Sequence, residues 1–201
     1  SCILAGARTT NGALVPLKGT APTPFNFDLV TDTDYDRELG LLGNASNKYL
    51  ASNYAFPTSL QNNCHLSGYF SVVDTTGAVV GAYGNVFNEG SFLSSRSARL
   101  YHTSGSTFIP SDTTSTGFRG VSRNNSGNYL YRRAGSNETA NFASLAVTHE
   151  NQGIFARRRN TGSYDAFSDA RLAFYSIGEA LDLALLDTRI SDFITAIGAA
   201  I

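Results

Sequence analysis

The sequence has 201 residues, a net charge of -1 and only 15% charged side chains. This length allows one large domain with a substantial core. The near-neutral charge argues against a nucleic-acid binder held by bulk electrostatics, and no apolar run approaches the roughly 18 residues needed for membrane insertion.

The first 35 residues are predicted to form an extended arm, or the end of a truncated upstream region. Three of the five prolines fall between positions 16 and 24, and proline favours extended, loop-like backbone. The sequence contains no methionine, which points to a mature or truncated piece of a longer polypeptide.

An acidic segment follows at the end of this arm. Asp32, Asp34 and Asp36 alternate as in a calcium loop. An EF-hand needs Gly and Glu at the sixth and twelfth positions, where this sequence has Arg37 and Gly43. A solvated acidic loop is therefore predicted, and no metal ligand is assigned.

Residues 36–175 alternate short strand patterns with turn signals. The clearest hairpin joins 117–123 to 129–133 through a turn rich in Asn and Gly. Alternation also marks His65 to Val73. Further strand candidates cover 39–44, 48–50, 79–83, 91–95, 99–102, 153–157 and 170–175. About ten short strands of this kind predict an all-β fold, an antiparallel β-sandwich or jelly roll.

Residues 176–201 are predicted to form a C-terminal amphipathic helix. Ser176 and Glu179 match a capping box that would start it. Apolar residues then recur at heptad spacing, at Leu183, Leu186, Ile190, Phe193 and Ile197. Two interpretations remain open, because the stripe suits both packing on the chain's own domain and self-association. For self-association the expected state is a homotrimer.

The residues that could carry catalysis do not form a recognisable pattern. His65, His102 and His149 have no partner at metal-ligand spacing, and no strand carries a pair of carboxylates for glycoside hydrolysis. Cys2 and Cys64 allow one bridge and favour two buried thiols. The sequence therefore predicts a protein that is not an enzyme and needs no cofactor.

Tyrosine and arginine residues on the predicted strands suggest a glycan-binding surface. Arginines at such positions could bind phosphate or sulfate groups, and tyrosine rings could stack on sugars. The alternative is an ordinary solvated strand surface. The candidate residues are Tyr129, Tyr131, Arg132, Arg157 and Tyr164.

Several segments carry a resemblance to a known family. They are GLLGNASNKYL (40–50), LQNNCHLSGYF (60–70), GFRGVSRN (117–124) with YRRAG (131–135), GIFARRR (153–159) and ARLAFYSIGEALDLALLDTRISDFITAIGAAI (170–201). Together they resemble the concanavalin A-like, laminin-G-like jelly-roll domains of tailed-phage virion proteins of the tail-fibre or appendage type. The resemblance covers roughly residues 36–201, and its final segment is the most specific.

The resemblance implies a non-enzymatic structural protein on the surface of a phage particle, as a tail-fibre or appendage component. It implies contacts with other copies of the chain, with other virion proteins and with a host surface glycan. Two alternatives follow from the same fold, a carbohydrate-binding adhesin that recognises the host envelope and a capsid decoration protein. Fold alone does not choose between them.

Overall fold

A computed structural model describes residues 1–83, 90–101, 109, 114–146 and 150–201. Within these ranges sixteen strands form two sheets. In chain order the strands are β1 (Cys2–Ile3), β2 (Thr23–Phe25), β3 (Tyr35–Asp36), β4 (Gly40–Leu42), β5 (Tyr49–Ala55), β6 (Cys64–Val72), β7 (Val80–Tyr83), β8 (Gly90–Leu93), β9 (Ala98–Leu100), β10 (Gly117–Arg123), β11 (Tyr129–Arg133), β12 (Ser136–Ala140), β13 (Asn151–Ile154), β14 (Arg157–Arg158), β15 (Tyr164–Asp165) and β16 (Arg171–Gly178). The helices are α1 (Thr10–Ala13), a 3-10 turn (Thr58–Leu60) and α2 (Leu183–Ala200).

The two sheets pack face to face as a β-sandwich. Sheet 1 has the strand order β12-β11-β10-β6-β16-β4-β3, and β1 also pairs with β16. Sheet 2 has the order β15-β14-β7-β13-β5-β2, and β8 and β9 extend from β7. Pairing is antiparallel except between β14 and β7. The prediction of an all-β sandwich with a C-terminal helix is therefore confirmed.

The main core lies between the sheets because alternate residues of each strand point inward. Leu66, Phe70 and Val121 contribute from sheet 1, and Leu50 and Ile154 contribute from sheet 2. The predicted hairpin is also present, since β10 and β11 pair in the register Arg119↔Arg133 to Ser122↔Leu130.

Residues 1–35, expected to form an arm, instead contribute strands to both sheets. Cys2 and Ile3 in β1 pair with β16, and Phe25 in β2 pairs with Tyr49 in β5. Leu4 is fully buried. Pro24 is accommodated within β2 because this strand pairs on one side only, with β5. Cys2 and Cys64 are free thiols and both are buried, as the sequence favoured.

The C-terminal helix begins at Leu183, so the predicted start after Ser176 is wrong. Ser176 lies in β16 and pairs with Ser67 of β6, because strand pairing continues to Gly178 and overrides the local capping pattern. The N-cap is Asp182, whose side chain accepts hydrogen bonds from the backbone N–H groups of Ala184 and Leu185.

Helix α2 packs on the outer face of sheet 1. Leu183 and Ile190 are buried against Phe118 and Phe174, and Leu186 packs against the same cluster. Arg132 of β11 donates from Nε to Asp187 of the helix at 2.8 Å, and both side chains are largely buried.

The heptad residues therefore do not share one environment. Ile197 is half-buried, and its side chain lies beside Gly6. Phe193 points outward and is 48% exposed, and Leu185 is similarly exposed, at 53%. Packing on the chain's own domain accounts for Leu183, Leu186 and Ile190, whereas Phe193 has no such role.

Candidate functional site

Three aromatic rings stack in a row on the outer face of sheet 2. Phe25 and Tyr49 are cross-strand neighbours whose ring centroids lie 4.5 Å apart with an interplanar angle of 9°. Tyr49 stacks on Tyr164 at 4.0 Å and 24°. We call Phe25, Tyr49 and Tyr164 the aromatic row. Parallel stacking of this kind stabilises the rings beyond the effect of burial alone.

The hairpin of β14 and β15 places Tyr164 over the sheet. Tyr164 pairs with Arg158 across this hairpin, and its ring lies above Gly153 of β13. A Cβ atom at Gly153 would approach Tyr164 Cε1 to 3.1 Å and the Ala156 carbonyl oxygen to 2.7 Å. Glycine is therefore needed at position 153 so that the Tyr164 ring can reach Tyr49.

The row has one outer ring face that remains open. Tyr49 is covered on both faces, because two near-parallel rings at 4.0 and 4.5 Å must lie on opposite sides of it. Tyr164 is covered by Tyr49 and contacts the Arg158 guanidinium, which lies 5.4 Å from the ring centroid. Phe25 ends the row and is 40% exposed. The outer face of Phe25 is therefore the face that can receive a ligand.

Arginine and carboxylate side chains surround the Tyr164 end of the row. Arg157 binds Asp165 through two hydrogen bonds of 3.0 Å, and Arg159 binds the same carboxylate. Arg158 binds Glu150 at 2.9 Å. Burial acts to raise the pKa of Asp165, but the hydrogen bonds and charges of Arg157 and Arg159 outweigh it and hold the pKa below its usual value. Each of these three arginines therefore contacts a carboxylate, although Arg157 and Arg159 share one.

Exposed asparagine amides lie at the Phe25 end. Asn26 follows Phe25 and donates from Nδ2 to the Asn47 carbonyl oxygen at 2.8 Å. Asn44 donates from Nδ2 to Asn47 Oδ1 at 2.8 Å. Asn26 has a positive φ of 61°, which asparagine tolerates better than most residues. This geometry fixes the amides beside the end of the β2–β5 pair.

Of the five predicted glycan-binding residues, the structure brings Arg157 and Tyr164 to this surface and leaves out the other three. Tyr129 and Tyr131 are 1% and 0% exposed because they point into the core between the sheets, and burial raises the pKa of both phenols. Their rings cannot stack on a sugar, so that prediction is wrong. Arg132 lies on the opposite sheet and binds Asp187.

Phe25, Tyr49, Asn26 and Asn47 were not predicted to belong to a site. Phe25 lies in the proline-rich segment, whose sequence predicts an extended arm. The stack depends on the pairing of β2 with β5, which joins residues more than twenty positions apart. No local pattern reports such a pairing.

Apart from the aromatic row, the structure has a cleft of about 570 Å³ bordered by β5, β6 and β16. Its wall contains His65, which the sequence left without a partner. His65 donates from Nδ1 to the Glu179 carbonyl oxygen at 2.5 Å, and Nε2 accepts from the Ser176 hydroxyl at 2.9 Å. The segment that connects β16 to α2 is also held by Asn63 and Ser122, whose side-chain oxygens accept from the backbone N–H groups of Ala180 and Leu181. We refer to this feature as the His65 cleft, and its polar contacts hold that connection on sheet 1.

His102 and His149 lie outside the described residues. In the described ranges, no group of three or more His, Cys, Asp or Glu side chains is placed to hold a metal ion. Within the same ranges, no helix combines the length and apolar character of a membrane span.

No protein-family model matches this sequence, and no curated protein is similar to it.

Proposed function

We propose that this chain is a non-enzymatic structural module of a phage virion, displayed on the particle surface in a tail fibre or appendage. We also propose the finer fold assignment, a concanavalin A-like, laminin-G-like jelly roll. The β-sandwich supports this proposal, because it is the architecture that the resemblance implies. The segments that carry the resemblance include β6, β10 and β16, which are neighbours in sheet 1.

Within this role, the outer face of sheet 2 binds carbohydrate. The aromatic row carries this part of the proposal. The C–H bonds of a sugar ring bear a slight positive charge and pack well on the negative face of an aromatic ring. Phe25 offers such a face, with polar amides beside it. An apolar surface with a few oriented polar groups is typical of ligand sites.

In the particle, the chain contacts copies of itself, as a trimer, and other virion proteins. Leu183 and Ile190 are buried on sheet 1, so they cannot form a seam between copies while the helix stays docked. A contact between copies through α2 would use Leu185 and Phe193, which are exposed.

A glycan array tests the binding role directly. Wild-type chain is expected to bind a subset of bacterial surface glycans, and Phe25→Ala is expected to lose at least about tenfold in signal because the open ring face is removed. Leu130→Ala is the control, since it removes an exposed apolar side chain from β11 of sheet 1, away from the aromatic row and from the exposed residues of α2.

Equal loss of signal in both variants would indicate adhesion through any exposed apolar residue and would contradict a specific site. Absence of binding by the wild-type chain across the array would remove the carbohydrate-binding role. The structural role in a virion would then stand alone.

A further inference from the structure

The charges around the aromatic row bear on which glycans it can bind, an inference that rests on the proposed carbohydrate-binding function. We propose that the site takes a neutral hexopyranose, which stacks on the outer face of Phe25 while its hydroxyl groups bond the amides of Asn26 and Asn47. This differs from the phosphate- or sulfate-bearing glycan that the arginines of the predicted strands suggested.

The cations on this face are already paired with carboxylates of the chain. Arg157 and Arg159 share Asp165, and Arg158 binds Glu150. Lys48, the cation nearest in sequence to Asn47, binds Asp34. Each of these four cations therefore contacts a carboxylate, and three carboxylates serve the four.

An anionic glycan would have to displace one of these carboxylates or approach it closely. Bidentate arginine–carboxylate pairs are among the stronger charge-assisted hydrogen bonds, so displacement is costly. Approach without displacement brings two negative charges together. A neutral sugar meets neither penalty.

The Phe25 end retains hydrogen-bonding groups that a sugar can use. Asn26 uses Nδ2 on the Asn47 carbonyl, and its Oδ1 remains able to accept. Asn47 uses Oδ1 to accept from Asn44, and its Nδ2 remains able to donate. Neither amide group has a further protein partner among the described residues. One acceptor and one donor suit neighbouring sugar hydroxyls, each of which can donate and accept.

The site is also preorganised. Tyr49 holds the Phe25 ring by parallel stacking, and the Asn44 side chain accepts from the backbone N–H groups of Ser46, Asn47 and Lys48. A ligand therefore does not have to pay for ordering this loop. The same order restricts the site to ligands whose ring is flat enough to lie on Phe25.

The test is isothermal titration of the intact chain with a panel of neutral glucose, galactose and mannose oligosaccharides and with the sulfated form of each. Neutral sugars are expected to bind. Their dissociation constant should change less than about twofold when the salt concentration is raised tenfold, because the sugar carries no net charge. The sulfated forms are expected to bind more weakly.

Variants separate the ring from the charges. Phe25→Tyr keeps an aromatic face and should keep binding, whereas Phe25→Leu keeps apolar bulk and should weaken it roughly tenfold. Asn47→Ala should weaken binding several-fold through the lost donor. Arg159→Gln, which lies outside the proposed contacts, should leave the neutral sugar affinity unchanged.

Preferential binding of the sulfated sugars, lost at high salt or in Arg159→Gln, would overturn this inference and leave the carbohydrate-binding function intact. Absence of binding to both classes would overturn the function as well. Neutral binding that is equal in Phe25→Tyr and Phe25→Leu would show that the ring face is not the site.

Discussion

Arg119 and Arg123 show how single side chains in this fold depart from their usual positions. Both lie on β10 and point into the core, where they are 1% and 0% exposed. Arg119 donates to the Ser95 carbonyl oxygen at 2.7 Å, and Arg123 donates to the Leu100 carbonyl oxygen at 3.1 Å. Backbone carbonyls replace the water that a buried guanidinium loses. These arginines therefore link β10 to the segments on the opposite side of the core.

His65 is the residue whose titration should be visible in stability. Burial lowers its pKa to about 4 from the ordinary value of 6.5, although hydrogen bonds to the backbone act in the opposite direction. Between these values the unfolded chain binds a proton that the folded chain does not. The free energy of unfolding should therefore fall as pH drops from about 6.5 to about 4, by up to about 3 kcal/mol.

Denaturant unfolding across this pH range measures the effect. His65→Gln is the comparison, because glutamine can donate to the Glu179 carbonyl and accept from Ser176 without titrating. The stability of the variant should depend less on pH than that of the wild type. Parallel curves for the two proteins would contradict the assignment.

Among the elements, helix α2 owes its position to one buried stripe and one ion pair. Leu183 and Ile190 pack on Phe118 and Phe174, and the Arg132–Asp187 pair anchors the same face. Ile190→Ala is expected to lower the free energy of unfolding by about 2 to 4 kcal/mol, since it leaves a cavity under the helix. Phe193→Ala, one turn away on the exposed face, should change it by less than about 0.5 kcal/mol.

Chemical denaturation of the three proteins distinguishes the two uses of the heptad stripe. A large loss for Ile190→Ala and none for Phe193→Ala follows from packing on the chain's own sheet. Comparable losses that depend on protein concentration would instead indicate a seam between copies.

The elements also show what the sequence could and could not predict. The β10–β11 hairpin was predictable because its turn and alternation are local. The helix start was not, because the pairing of β16 with β6 extends the strand through Ser176. The alternating pattern of β11 predicts two faces but does not show which of them points into the core. Tyr129 and Tyr131 were therefore assigned to the wrong face, the surface. The aromatic row could not be predicted either, because Phe25 meets Tyr49 only through long-range strand pairing.

At the scale of the whole molecule, the two outer faces of the sandwich differ. Helix α2 covers part of sheet 1 and buries its own apolar stripe there. The outer face of sheet 2 carries the aromatic row and the arginine–carboxylate pairs beside it. This asymmetry would suit the proposed surface module, because one face can be structural while the other meets a ligand. The proposed structural role and the proposed binding role would then belong to different faces of one domain.

The most direct test of this account is to map the bound glycan by backbone-amide NMR on the intact chain, with the tightest neutral oligosaccharide of the titration panel as the probe. Saturating sugar is predicted to shift the amides of Phe25, Asn26 and Asn47 and to leave those of the His65 cleft unchanged. Shifts concentrated instead at Tyr54, His65 and Ser176, or no shifts with any sugar of the panel, would contradict it.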